Sequence, residues 1–324
     1  MTSLPTFIDV QDAAARLEGH AYATPLLSCE ALDEAVGGRV FVKAECLQRT
    51  GSFKFRGAYN RLCRLTDEER VAGVVAFSSG NHGQGVAAAA RLLKMPAVVV
   101  MPSDAPAMKI EATRAQGAEV VLYDRATGSR EAIAAQIGQE RGAMVVPSFD
   151  DFHVIAGQGT VGLEVARQLA RISVQADVLL CPASGGGLMA GINLALGSLS
   201  PRTATYVVEP ERYEDHRLSL EAGVRTAIQP AHPSLCDALL SPQPGAMTFP
   251  INQRRLKGAL AASDAQALAA MAFAFRHLKL VLEPGGAVAL AAALSGKLDL
   301  AGKTVVIVAS GGNVDAELFG RAIS

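Results

Sequence analysis

The sequence has no run of lysine or arginine, and its 30 Lys+Arg against 31 Asp+Glu leave a formal net charge of −1. It therefore offers no positive field for a nucleic-acid backbone. No apolar stretch approaches the roughly 20 residues that cross a bilayer, so no membrane partner is expected. The first residues, MTSLPTFIDVQDAAARLEGH, have neither the basic start nor the apolar core of a signal peptide. The five cysteines (Cys29, Cys46, Cys63, Cys181, Cys236) are scattered, odd in number and without a CxxC pair. That spacing argues against a disulfide frame or a zinc site, and for reduced thiols in a cytoplasmic protein. Charge is sparse at 19% and hydrophobic residues reach 50%, which excludes disorder and leaves ample apolar surface for a core. The 324 residues suggest two domains or one large α/β unit.

Short apolar, β-branched runs alternate with Ala-rich helical stretches. Strands are predicted at Val40–Ala44, Val74–Phe77, Ala97–Met101, Glu119–Tyr123, Met144–Pro147, Asp177–Cys181, Thr205–Val208 and Thr304–Val308. Helices are predicted near 82–94, 107–116, 129–141, 157–171, 188–198, 264–278, 285–295 and 314–322. Such alternation gives an α/β fold with parallel sheets covered on both faces. Ser263 and Gln266 have the spacing of a capping box. The proline-rich stretch 225–250 reads as a long surface loop.

Parallel sheets place ligands at the carboxyl ends of their strands, where helix N-termini and glycine loops aim amides at anions. Four segments fit. In Thr50-Gly-Ser-Phe-Lys-Phe-Arg-Gly57, two phenylalanines flank Lys54; they either desolvate it into a Schiff-base amine or cover a snorkelling stem. Ser78-Ser-Gly-Asn-His-Gly-Gln84 follows a strand and opens a helix, as an anion cradle or as an ordinary N-cap with turn glycines. Ser184-Gly-Gly-Gly-Leu-Met-Ala-Gly191 lets backbone wrap an anion. It has neither GxGxxG nor the Walker lysine, which disfavours a dinucleotide or a nucleoside triphosphate. Ser310-Gly-Gly-Asn-Val-Asp315 repeats the strand–serine–glycine pattern, either as a site or as a tight turn. A fifth cluster, Glu209-Pro-Glu-Arg-Tyr-Glu-Asp215, is an acidic turn or a seat for a hard divalent cation.

The order SFKFRGA, SSGNHGQG, SGGGLMAG, EPGGAVALA (283–291), SGGNVD resembles the fold-type-II (tryptophan synthase β-like) pyridoxal phosphate enzymes, and among them the serine/threonine dehydratases and serine racemases. The resemblance implies two domains, each an open, mostly parallel sheet flanked by helices. The smaller would be 48–147, and the larger 1–47 plus 148–324. It implies that Lys54 bonds covalently to pyridoxal 5'-phosphate, that Phe53 packs on its ring and that Asn81 bonds its phenolic oxygen. Ser184, Gly185, Gly186, Gly187 and Leu188 would hold the phosphate. Ser310 would face the ring nitrogen, and Glu283 is a further polar candidate near the ring. Ser78, Ser79, Gly80, Asn81 and His82 would hold the substrate carboxylate. Glu209, the Tyr213 carbonyl and Asp215 match the cation site of metal-stimulated members, for Mg²⁺ or Ca²⁺.

The activity so implied is dehydration of a small hydroxy amino acid. L-threonine and L-serine would yield 2-oxobutanoate or pyruvate and ammonia, with Lys54 as the base at Cα. A neutral Ser310 favours loss of a leaving group over transamination. Two alternatives share the cofactor. Ser79 faces the opposite side of Cα in racemase-like relatives, which would make the chain a serine racemase. Arg130 sits where some relatives contact a second substrate carboxylate, which would make it an L-threo-3-hydroxyaspartate dehydratase. The resemblance also implies a homodimer. The chain shows no effector domain after the last helix, so feedback control by isoleucine is not expected.

Overall fold

The structure, a computed structural model, describes residues 3–78, 80–105, 107–229 and 233–324. Ser79, the candidate racemising residue, lies outside the described residues. The described residues form ten strands: β1 (Leu26–Leu27), β2 (Arg39–Ala44), β3 (Val74–Phe77), β4 (Ala97–Pro102), β5 (Glu119–Tyr123), β6 (Met144–Val145), β7 (Val178–Pro182), β8 (Ala204–Pro210), β9 (Leu256–Ala262) and β10 (Thr304–Ala309). They make two sheets, one ordered β1-β2-β10-β7-β8-β9 and the other β5-β4-β3-β6. Every pairing is parallel except β1 with β2. The fold is thus mixed α/β, with two mostly parallel sheets between helices.

The eight strands predicted from apolar runs are all present, with ends shifted by a residue or two. β1 and β9 escaped prediction: β1 has only two residues, and Leu256-Lys-Gly-Ala-Leu-Ala-Ala262 is alanine-rich and only half-buried at the sheet edge, so it carries neither a continuous nor a clean alternating pattern. Helices Phe7–Leu17, Glu30–Val36, Asp67–Ala72, Asp215–Ala222 and Thr248–Gln253 were not predicted either. The capping box forms: Ser263 N donates to Gln266 Oε1 at 3.0 Å and Gln266 N to Ser263 Oγ at 3.2 Å. The predicted helix 264–278 ends its α-helical part at Phe273 and continues as a π-turn over Ala274–Leu278.

Helix Lys54–Leu62 is held firmly. Gly57 and Gly157 let it cross helix Phe152–Arg171 closely; a Cβ on Gly157 would stand 2.9 Å from the Gly57 Cα. In the first turn of the helix, the Arg56 guanidinium is 1% exposed and bonds both oxygens of Glu45 at 2.8 Å and Glu164 at 2.6 Å. Lys43, from β2, donates to the same Glu164 at 2.6 Å. Two cations balance two carboxylates, so the buried charges are paired; removing one partner would leave another stranded at a cost of about 3–5 kcal/mol. Packing and charge thus fix the helix whose first residue is Lys54.

Candidate active site

The carboxyl ends of β3, β7 and β10 open on a cleft between the sheets, with a cavity of about 850 Å³. Lys54, Asn81, Ser184, Glu283 and Ser310 all line it. The chain therefore brings together, from five separate segments, the groups that the motifs singled out.

Lys54 Nζ donates to the Ser148 carbonyl at 2.8 Å and lies 5.1 Å from the centre of the Phe53 ring. Burial lowers its amine to about 8, against the opposing charge of Glu283. Asn81 opens the helix Asn81–Leu92 directly after β3. Its Nδ2 donates to Glu283 Oε1 at 2.5 Å, and its Oδ1 accepts from Asn313 Nδ2 at 2.7 Å. Asn313 also donates to the Thr50 carbonyl at 2.7 Å. With both neighbours fixed, the Asn81 amide has one orientation. Glu283 is fully enclosed; burial and the charge of Asp237 push its carboxyl up to about 7. His82 Nε2 lies 2.8 Å from the Val146 carbonyl and must donate to it. Burial and nearby Lys54 hold its imidazole down at about 3, so the ring is neutral.

The loop after β7 is built from backbone. Gly186 has φ +88° and starts the helix Gly187–Leu199. A Cβ on Gly185 would come within 2.2 Å of the Phe149 ring. The Gly185 carbonyl accepts from Gly245 N at 3.0 Å and from Thr248 Oγ1 at 2.5 Å. Ser184 Oγ accepts from Ser241 N at 3.1 Å, which leaves its hydrogen to donate. These bonds correct the reading of 225–250 as a surface loop: residues 237–245 line the cavity and brace the glycine loop. Proline content marked the irregular backbone but not its packing.

Arg130 opens the helix after β5 and also lines the cavity. Its side chain is 41% exposed, with the guanidinium 5.6 Å from the centre of the Phe77 ring. Its Nε donates to Glu131 at 2.7 Å, and its terminal nitrogens have no hydrogen-bond partner among the described residues. Lys109 and Asp237, which sequence reading missed, face each other at 2.8 Å in the cavity wall. Lys109 lies in the helix Ala107–Ala115 and Asp237 in the short turn Asp237–Leu239 ahead of the helix Thr248–Gln253, so no spacing in the sequence links them.

Glu209, Tyr213 and Asp215 are buried away from the cleft lining, behind the glycine loop. The structure adds a neighbour to them: His216 groups with Glu209 and Asp215. Burial, relieved in part by His216, raises the Glu209 carboxyl. Burial pulls His216 the other way, but its two carboxylate partners outweigh that and hold it up at about 9. His216 reaches the glycine loop as well, since a Cβ on Gly186 would lie 2.5 Å from its Nε2.

A strand-end cleft that gathers a desolvated lysine, an oriented asparagine and a glycine-built helix entrance defines a class of enzyme, and the sequence comparison gives the same class. Residues 17–311 match the model of the pyridoxal-phosphate dependent enzyme family. The chain belongs to this family, in its fold type II, and is an enzyme of the pyridoxal phosphate-dependent lyase group. It is 45% identical to an L-threo-3-hydroxyaspartate ammonia-lyase of Pseudomonas sp., over 98% of both chains. It is 39% identical to an L-threonine ammonia-lyase of Thermotoga maritima, covering 98% of this chain and 78% of that one. The structure of maize serine racemase superposes with a TM-score of 0.92 at 33% identity, covering 99% of this chain and 97% of that one.

Proposed function

We propose that the chain is an ammonia-lyase that removes water from a small β-hydroxy α-amino acid, with L-threo-3-hydroxyaspartate preferred over L-threonine and L-serine. The observation that carries the preference is Arg130: a guanidinium in the cavity wall with its terminal nitrogens unengaged suits a second carboxylate. The likeness to the Pseudomonas lyase agrees with it. L-threonine and L-serine are the second reading, favoured by the half-exposure of Arg130 and by the hold of Glu131 on its Nε.

The residues fit the family's cofactor. The glycine loop packs too closely on Phe149 for a Cβ at Gly185 and opens directly into a helix N-terminus, and Lys54 is a buried amine lowered to about 8. Ser184 to Leu188 would hold its phosphate, Phe53 its ring face, Asn81 its phenolic oxygen, and Ser310 its ring nitrogen, with Glu283 beside it. Pyridoxal 5'-phosphate supplies the electron sink that makes the Cα proton removable. Lys54, whose amine is about half neutral near pH 8 where an ordinary lysine is almost wholly charged, takes that proton. Ser78, Gly80, Asn81 and the amide of His82 hold the α-carboxylate at the start of a helix, where the dipole favours an anion. The neutral His82 adds no charge to that loop. The β-hydroxyl departs with one proton taken up on its oxygen, so that the Cα hydrogen and the hydroxyl are lost together as water, and the freed enamine then takes up water to give a 2-oxo acid and ammonia. The products would be oxaloacetate, 2-oxobutanoate or pyruvate, according to substrate. Residues 48–147 would form the smaller domain and close the substrate loop over the cleft. Glu209, Asp215 and the Tyr213 carbonyl would hold a divalent cation behind the phosphate loop.

The test is 2-oxo acid and ammonia release from L-threo-3-hydroxyaspartate, L-threonine and L-serine by purified holoenzyme. The reading expects kcat/KM to fall in that order. Turnover of threonine with none of hydroxyaspartate would remove Arg130 from substrate selection, and absence of 2-oxo acid from all three would overturn the lyase reading.

A further inference from the structure

If Glu209, Asp215 and the Tyr213 carbonyl hold a cation, the proposal on which this inference rests, then His216 belongs to the same site. His216 Nδ1 stands 3.4 Å from Glu209 Oε1 and 3.3 Å from Asp215 Oδ1. A charge-assisted N–H···O bond closes to about 2.7–2.9 Å, so neither contact is a tight bond, and one ring nitrogen has only one hydrogen to give. Donors bound at about 2.0–2.2 Å to a common ion, with angles near 90–109° between them, stand roughly 2.8–3.6 Å apart. The observed spacings are those of ligands around one ion. A second observation agrees. Asp215 is 1% exposed, yet its Oδ2 has no hydrogen-bond partner among the described residues. The cluster is also rigid, because the Glu209 oxygens accept from His216 N at 2.7 Å and Arg217 N at 3.1 Å in the first turn of the helix Asp215–Ala222.

We infer that His216 Nδ1 is a ligand of this site, and that the cation it takes is a first-row transition ion such as Mn²⁺, Co²⁺ or Zn²⁺ in preference to Mg²⁺ or Ca²⁺. Two carboxylates and a carbonyl alone would favour the hard cations, which take oxygen ligands. An imidazole nitrogen shifts the balance toward transition ions. With Nδ1 on the ion, the hydrogen of a neutral ring sits on Nε2, the atom beneath Gly186, so the ligand that selects the ion also touches the glycine loop.

The experiment uses holoenzyme stripped with a chelator and titrated with Mn²⁺, Co²⁺, Mg²⁺ and Ca²⁺ by calorimetry, alongside His216→Asn. Wild type is expected to bind Co²⁺ at least about 100-fold more tightly than Mg²⁺, and the variant to lose about tenfold or more of that ratio while retaining Mg²⁺ binding. Pulsed electron paramagnetic resonance of Mn²⁺-loaded wild type should show a directly bound nitrogen, a readout that needs neither turnover nor the variant. Bound Mn²⁺ without nitrogen coupling, or an unchanged ratio in a folded His216→Asn protein, would overturn the His216 assignment and leave an oxygen-ligand site standing. Failure of all these ions to bind would overturn the site itself, and the inference with it.

Discussion

At the carboxyl ends of β7 and β10 the cleft is walled by backbone, in the glycines after Ser184 and the chain around Ser310. At the ends of β3, β4 and β5 it is walled by side chains: His82, Lys109, Arg130 and the Phe77 ring. The first wall leaves no room for change, since a Cβ at Gly185 would strike Phe149 and Gly186 sits at φ +88°. The second is looser, with Arg130 half-exposed. The difference separates two jobs. A backbone wall suits a group that every member of a family binds, and a side-chain wall can be altered to choose among substrates without disturbing the fold.

The largest effect tests the base at the junction of the two walls. Lys54→Ala should lower 2-oxo acid formation by about 10³-fold or more, and should lack the yellow absorbance expected of the wild-type holoenzyme. The pH dependence of cofactor reloading sharpens this. The reactive form is the neutral amine, so the rate for apoprotein should rise as pH increases through about 8, where burial places the Lys54 pKa. A midpoint at the ordinary lysine value would show that burial does not tune the amine. Next in size is the backbone wall. Gly185→Ala should weaken cofactor binding about tenfold or more, by the overpacking cost against Phe149, measured by equilibrium dialysis, while the ratio of kcat/KM values between substrates holds. If Gly185→Ala changed selectivity and not cofactor affinity, the division of labour would fail. The smallest effect lies in the Lys109–Asp237 pair, which joins the helix Ala107–Ala115 to the short turn Asp237–Leu239. The Asp237 side chain is 43% exposed, so water can take over much of its place beside Lys109, and Asp237→Asn should alter KM only about threefold or less, with kcat retained.

The backbone wall was the legible part of the sequence. Glycine runs after apolar strands are read directly, because only glycine allows that approach. The strand–helix alternation likewise foretold the parallel sheets. The side-chain wall was legible only in part. Arg130 is reached only through the resemblance, by its place where some relatives contact a second substrate carboxylate, and the Lys109–Asp237 pair joins residues 128 positions apart and leaves no local pattern. The loop 225–250 was misjudged for a related reason, since proline reports on backbone conformation and not on what the chain packs against. His216 was missed because the acidic turn draws attention to its carboxylates, and its role depends on a fold that turns its ring back onto Glu209.

The substrate-selecting role of the side-chain wall is tested most directly by the ratio of kcat/KM for L-threo-3-hydroxyaspartate to that for L-threonine, measured in wild type and in Arg130→Ala. A charge-assisted bond is worth roughly 1.5–3 kcal/mol, or about 10- to 150-fold. The ratio should therefore exceed one in wild type and fall by about that factor in the variant, with threonine turnover and cofactor absorbance unchanged. A ratio that Arg130→Ala leaves as it was, or a loss equal for both substrates, would contradict the account.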